Sequence, residues 1–155
     1  MTDKELKIYT NGIQNDDHHS YYNHRYEPTS YENLTLLFDQ YPLTSKDGFV
    51  DFGCGKGRIN FYVHDRFHCK SIGVELHEAY YEDATRNLTT YVGTQKEQIS
   101  FHCMPAQSYL LDGSETCFYF FNPFSVDIFG QVIQNHLKQR TFPRATYPNN
   151  TSQAM

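Results

Sequence analysis

Between Tyr31 and Leu137 the apolar residues follow two alternating rhythms along the chain. Tyr31, Leu34, Leu37, Phe38 and Tyr41 recur at helical spacing, with Thr29 and Glu32 spaced as a capping box ahead of them. Pro42 and the turn residues Ser45, Lys46, Asp47 and Gly48 stop that helix. Residues 49–53 then predict a first strand. Residues 57–67 predict a helix with Ile59, Tyr62, Val63 and Phe67 on one face, and residues 70–75 a second strand. Tyr80, Ala84, Leu88 and Tyr91 mark a further helix that ends near Gly93. A third strand is expected over 99–104 and a fourth over 116–121, apolar without alternation and so expected to be buried on both faces. Residues 126–137 close the pattern as a helix with Ile128, Phe129, Val132, Ile133 and Leu137 inward and Asp127 in the first turn, where the helix dipole favours an acid.

Strands alternating with helices in this way predict an open α/β sheet with right-handed crossovers. A chain of 155 residues holds one such domain. Residues 1–25 are polar, with His18, His19 and His24 among them, and are expected to form a loosely ordered arm. Residues 26–139 carry the domain. Residues 140–155 hold two prolines and no strand pattern, and are expected to be an irregular tail.

Composition narrows the picture in three ways. With 13 Tyr and 12 Phe, the chain suits a packed domain with ring-lined pockets and is not that of a disordered polymer. A net charge of −5 lacks the basic footprint of a nucleic-acid binder, although a local patch stays open. Apolar runs fall short of the ~18 residues of a membrane span, and the first residues lack a signal peptide's apolar core, so a cytoplasmic protein is expected. Cys54, Cys69, Cys103 and Cys117 are scattered without a C-x-x-C pair, as in a chain whose thiols stay reduced.

The most informative segment is Asp51-Phe52-Gly53-Cys54-Gly55-Lys56-Gly57-Arg58. Glycines at alternate positions behind a strand leave a turn of bare backbone, and a helix starting there turns free N–H groups toward a ligand. A dinucleotide fingerprint, G-x-G-x-x-G, places its third glycine one position later. An oxidoreductase of that type is therefore the less favoured enzyme class. Glu75 ends the second strand, where a carboxylate can accept hydrogen bonds from both hydroxyls of a ribose. Without a ligand, the same residues would be a tight strand-to-helix turn and a solvated glutamate ahead of a helix.

The D-x-G-x-G-x-G pattern resembles the first motif of the class I S-adenosylmethionine-dependent methyltransferases, as found in small bacterial methyltransferase-like proteins. The resemblance implies a Rossmann-like open sheet with helices on both faces, S-adenosyl-L-methionine as cofactor, and methyl transfer as the reaction. Gly53, Gly55 and Gly57 would let the backbone approach the methionine and ribose parts of the cofactor. Asp51 would meet its methionyl amino group through water. Gln107, after the third strand, would bond the adenine amino group, its amide offering both an acceptor and a donor. Tyr26 and Thr29 belong to a Tyr-x-Pro-Thr stretch that in such proteins closes over the cofactor, though a helix-entry loop would also account for them. Asn122, Pro123 and Phe124 look like a shortened form of the Asn-Pro-Pro-aromatic motif of enzymes that methylate planar amino groups, with one proline missing.

The complete sheet of that family carries further strands after the fourth, which this sequence does not supply. The expectation is therefore a domain without its C-terminal strands, from truncation or a frame shift, with its fourth strand as an exposed edge through which copies can associate. An inactive cofactor-binding remnant or a regulatory module that binds a partner is the alternative to an active enzyme. The methyl acceptor is not identified by the residues, and membrane and metal are not expected. His64 and His68 stand four apart but lack a third ligand at a recognisable spacing, and are read as surface or partly packed histidines.

Overall fold

The computed structural model describes residues 1–12, 27–120 and 125–141. Its elements are α1 (Asp3–Leu6), α2 (Tyr31–Gln40), β1 (Gly48–Phe52), α3 (Arg58–Phe67), β2 (Lys70–Glu75), α4 (Glu78–Thr90), β3 (Ile99–Cys103), β4 (Cys117–Phe120) and α5 (Val126–Thr141). The strands form one parallel sheet in the order β3-β2-β1-β4. The chain steps outward from β1 to β3 and then returns to the other side of β1. Such a reversal of strand order marks the position, beyond the carboxyl ends of the strands, where open α/β sheets bind their ligands.

Alternation along each strand sorts the core into two faces. Phe49 of β1 packs with Leu34 and Phe38 of α2 and with Ile59, Tyr62 and Val63 of α3. Val50 and Phe52 face the other way, joining Ile72, Val74, Ala106, Tyr109 and Val132. Helices thus cover both faces, as expected for a Rossmann-like sheet.

Several expectations need correction. The N-terminal residues are not a loose arm over 1–12. Leu6 and Ile8 are buried with Phe61, Tyr91 and Ile99, and Thr10 is fully buried. Their partners lie far along the sequence: Asn87 accepts from the Tyr9 N–H at 2.8 Å and donates to the Tyr9 carbonyl at 3.0 Å. Two apolar residues in a polar stretch show no period, so the pattern carried no sign of this docking. The cap of α2 is Ser30, whose hydroxyl accepts from the Asn33 N–H, and not Thr29.

β4 lies at the sheet edge and is only half-buried, although Phe118 and Phe120 feed one core cluster while Cys117 and Tyr119 pack against the other. The face of α5 is also rotated from the expected one. Val132 and His136 are buried, whereas Leu137 is 60% exposed and Phe129 41%. His136 takes the inner position because aromatic rings surround it, with Phe52 at 5.1 Å and Phe118 at 5.8 Å between ring centroids. No helix among the described residues is long and apolar enough to cross a membrane.

Candidate functional site

β1 runs straight into the glycine turn. Gly53, Gly55 and Gly57 have φ of +83°, +54° and +88°, so each glycine of the pattern occupies the positive-φ region that glycine enters without strain. The turn is fastened to the neighbouring strand, as the Gly53 and Cys54 N–H groups both donate to the Val74 carbonyl, at 2.8 and 3.2 Å. Gly57 then caps α3, accepting from the Phe61 N–H at 3.1 Å. A Cβ built on Gly57 would stand 2.7 Å from Phe101 Cζ. Gly57→Ala is therefore expected to cost about 3 kcal/mol through positive φ and overpacking together, read as a lowered midpoint in a urea melt.

Asp51 pairs in register with Gly73, and Glu75 lies two residues further along β2, so both acids point to the same side of the sheet at its carboxyl end. Glu75 is half-buried, and its carboxylate organises the turn. Oε2 accepts from the Gly55 N–H and Oε1 from the His77 N–H, both at 2.8 Å. Each oxygen keeps further lone-pair capacity for a ligand hydroxyl. Asp51 is 3% exposed. Burial pushes its carboxyl up to about 8, and the nearby Glu75 charge adds to the rise. Cys54, between them, fills the small space beside Gly73, where an added Cβ would meet its Sγ at 2.7 Å. Burial first, then the two carboxylates, hold its thiol well above the ordinary range. A filler and not a nucleophile is the role this geometry leaves it.

The other residues singled out in the sequence are spread more widely. Gln107 is half-buried in a 3-10 turn, Ala106–Ser108, that follows β3, and its carbonyl is anchored by Asn135 Nδ2 of α5 at 3.0 Å. Thr29 stands behind the turn, its carbonyl accepting from Arg58 Nη1 at 3.2 Å. Tyr26, Asn122, Pro123 and Phe124 lie outside the described residues. His64 is fully enclosed rather than partly packed: its Nδ1 and Nε2 each meet a backbone carbonyl, of Cys69 and Thr94, at 2.8 Å. Both ring nitrogens are thereby engaged, and among the described residues there is no group of three or more side chains that could hold a metal ion.

Sequence reasoning missed the residues that grip the turn from behind. Lys56 and Arg58 sit in a segment that reads as glycine pattern alone, yet both are buried and reach toward residues 9–11. A basic residue beside a glycine turn suggests a ligand contact, and the pattern offers no clue that it faces away. Asn87 donates to the Lys56 carbonyl at 3.1 Å, and the only visible signal for it was an asparagine on an otherwise amphipathic helix.

A model of the family described as histone methylation protein DOT1 matches residues 6–105. Among solved structures, an S-adenosylmethionine-dependent methyltransferase from Geobacter sulfurreducens, in complex with S-adenosyl-L-homocysteine, superposes with a TM-score of 0.55 at 18% identity, over 74% of this chain and 45% of that one. Geranyl diphosphate C-methyltransferase from Streptomyces coelicolor A3(2) gives 0.54 at 19% identity, over 68% and 38%. These likenesses are of fold: both neighbours carry the class I methyltransferase architecture. The chain spans about a third to a half of the length of the solved structures it matches. No protein of curated function matches it.

Proposed function

Because this chain belongs to the family of the histone methylation protein DOT1, we propose that it is the cofactor-binding part of a cytoplasmic S-adenosylmethionine-dependent methyltransferase. The observation that carries this reading is the Glu75 carboxylate, held at the tip of β2 by the Gly55 and His77 N–H groups. It stands ready as an acceptor beside a turn of positive-φ glycines. In this reading Glu75 takes the ribose hydroxyls and Gly53 and Gly55 admit the ligand against bare backbone. Asp51 faces the methionyl ammonium and Gln107 the adenine edge.

The cofactor supplies a methyl group on a positively charged sulfur, which is already a strong electrophile. The protein's part is chiefly alignment, so the lack of a nominated general base among these residues fits the reaction. The acceptor class that the sequence Asn122, Pro123 and Phe124 suggests is a planar amino group, whose nitrogen would take the methyl as the methyl–sulfur bond breaks, leaving S-adenosylhomocysteine and releasing a proton to water. Related proteins are described by histone methylation or by geranyl diphosphate, and their acceptors span protein and small molecule. A fold shared at this level does not choose among them. β4 as an edge strand also supports the second reading, a cofactor-binding module that takes a partner or another copy along that edge.

Titration calorimetry separates the classes. S-adenosylhomocysteine is expected to bind with one site per chain, and NAD to give no heat above dilution. Binding of NAD alone would replace the proposal with the oxidoreductase.

A further inference from the structure

The back of the glycine turn is fastened by buried, hydrogen-bonded polar side chains. Arg58 opens α3 immediately after Gly57, and its guanidinium is buried. Nε donates to Thr10 Oγ1 at 2.7 Å, Nη2 to Asn11 Oδ1 at 2.6 Å and Nη1 to the Thr29 carbonyl at 3.2 Å. Asp3 lies 3.6 Å from Nε, and the Tyr31 ring lies under the guanidinium at 4.8 Å. Lys56, inside the turn, donates to the Asn11 carbonyl at 3.4 Å and pairs with Asp83 of α4 at 3.5 Å. Asn87 of the same helix ties the Lys56 carbonyl to both backbone groups of Tyr9.

A buried cation at the first residue of a helix is a poor device for stability alone. The helix dipole opposes it there and desolvation adds to the cost, so apolar packing would serve a merely structural purpose as well. What an arginine fork adds is direction, since its donors fix the relative placement of several partners at once. Here the fork joins residues 10–11 and the loop at Thr29 to the start of α3. The Gly55 N–H that Glu75 holds on the front of the turn is one residue before the Lys56 carbonyl that Asn87 holds on its back.

We infer that Arg58 and residues 1–12 form a clasp that sets the conformation of the glycine turn, making Arg58 a positioning residue for cofactor binding. The inference rests on the reading that this turn receives S-adenosylmethionine. Residues 1–12 are then part of the binding machinery without touching the ligand.

The test uses the full chain with Arg58→Lys, which keeps the charge and loses the fork, and Thr10→Val, which keeps the shape and removes both the acceptor for Arg58 and the hydroxyl's donation to Asp3. Two readouts are taken: hydrogen exchange of a peptide spanning residues 53–57 in the unliganded protein, and the Kd for S-adenosylhomocysteine. In Arg58→Lys the turn is expected to exchange about tenfold faster and the Kd to rise about tenfold, with Thr10→Val moving the same way by less and both variants still melting cooperatively. Exchange and affinity at the wild-type level in both variants, with only the melting temperature lowered, would overturn the clasp. A wild-type chain that binds no S-adenosylhomocysteine would instead overturn the cofactor reading, and exchange at the turn would still report on the clasp by itself.

Discussion

Glu75→Gln is expected to weaken S-adenosylhomocysteine binding by about a hundredfold, the loss of two charge-assisted hydrogen bonds to ribose hydroxyls. The change is nearly isosteric, so the loss would come from chemistry and not from space. A carboxylate accepts on both oxygens, whereas an amide accepts on one and donates on the other. In the native protein both oxygens already receive a backbone N–H, from Gly55 and His77. An amide at this position must set its NH2 against one of those donors, which loosens the turn as well. Fold stability should survive, because Glu75 is half-buried and removing its charge relieves Asp51. The measurement is calorimetric affinity beside a thermal melt. Unchanged affinity would show that the strand-tip acid does not hold the ligand.

The second large effect concerns protons. Burial, with Glu75 nearby, raises the Asp51 carboxyl to about 8, so near neutral pH the unliganded protein holds it mostly protonated. An ammonium arriving beside it, directly or through water, favours the carboxylate. Binding of S-adenosylhomocysteine at pH 7 is therefore expected to release about one proton, seen as a dependence of the binding heat on buffer ionisation enthalpy. Affinity should climb with pH to about 8 and then level off. Asp51→Asn removes both the proton release and the climb, and leaves an affinity about tenfold lower at pH 8.

Stability runs in the opposite sense. Between the ordinary carboxylate range and about pH 8 the unfolded chain is ionised at this residue while the folded chain is not. Folding then takes up a proton, so this residue's contribution to stability is fully present at acid pH and is lost as pH rises through about 8. Asp51→Asn should accordingly melt higher than the wild type at pH 8. A wild-type chain whose ligand affinity and melting temperature are both flat from pH 5 to 9 would remove the linkage.

The sheet and its acids were legible because they rest on local signals. β2 reads directly as residues 70–75, with Ile72 and Val74 alternating ahead of an acid at its end, and the structure places Glu75 at that tip. The spacing of Gly53, Gly55 and Gly57 announced a turn of bare backbone behind the strand, and the structure shows all three at positive φ. Features that depend on distant partners were not legible. Leu6, Ile8 and Thr10 are buried only because α3, α4 and β3 supply a surface for them, and nothing within ten residues hints at it. The inner face of α5 was misjudged for a related reason. Hydropathy favours Leu137 over His136, while the ring cluster of Phe52, Tyr109 and Phe118 accommodates an imidazole. Arg58 was hidden because charge in a sequence does not say which way a side chain turns.

A crystal structure of the chain grown with S-adenosylhomocysteine tests the account most directly. It should show both ribose hydroxyls about 2.7 Å from the Glu75 carboxylate oxygens, with the amino-acid end of the ligand lying over Gly53 and Gly55. A nucleoside seated elsewhere, with the glycine turn bare and Glu75 still held only by Gly55 and His77, would contradict it.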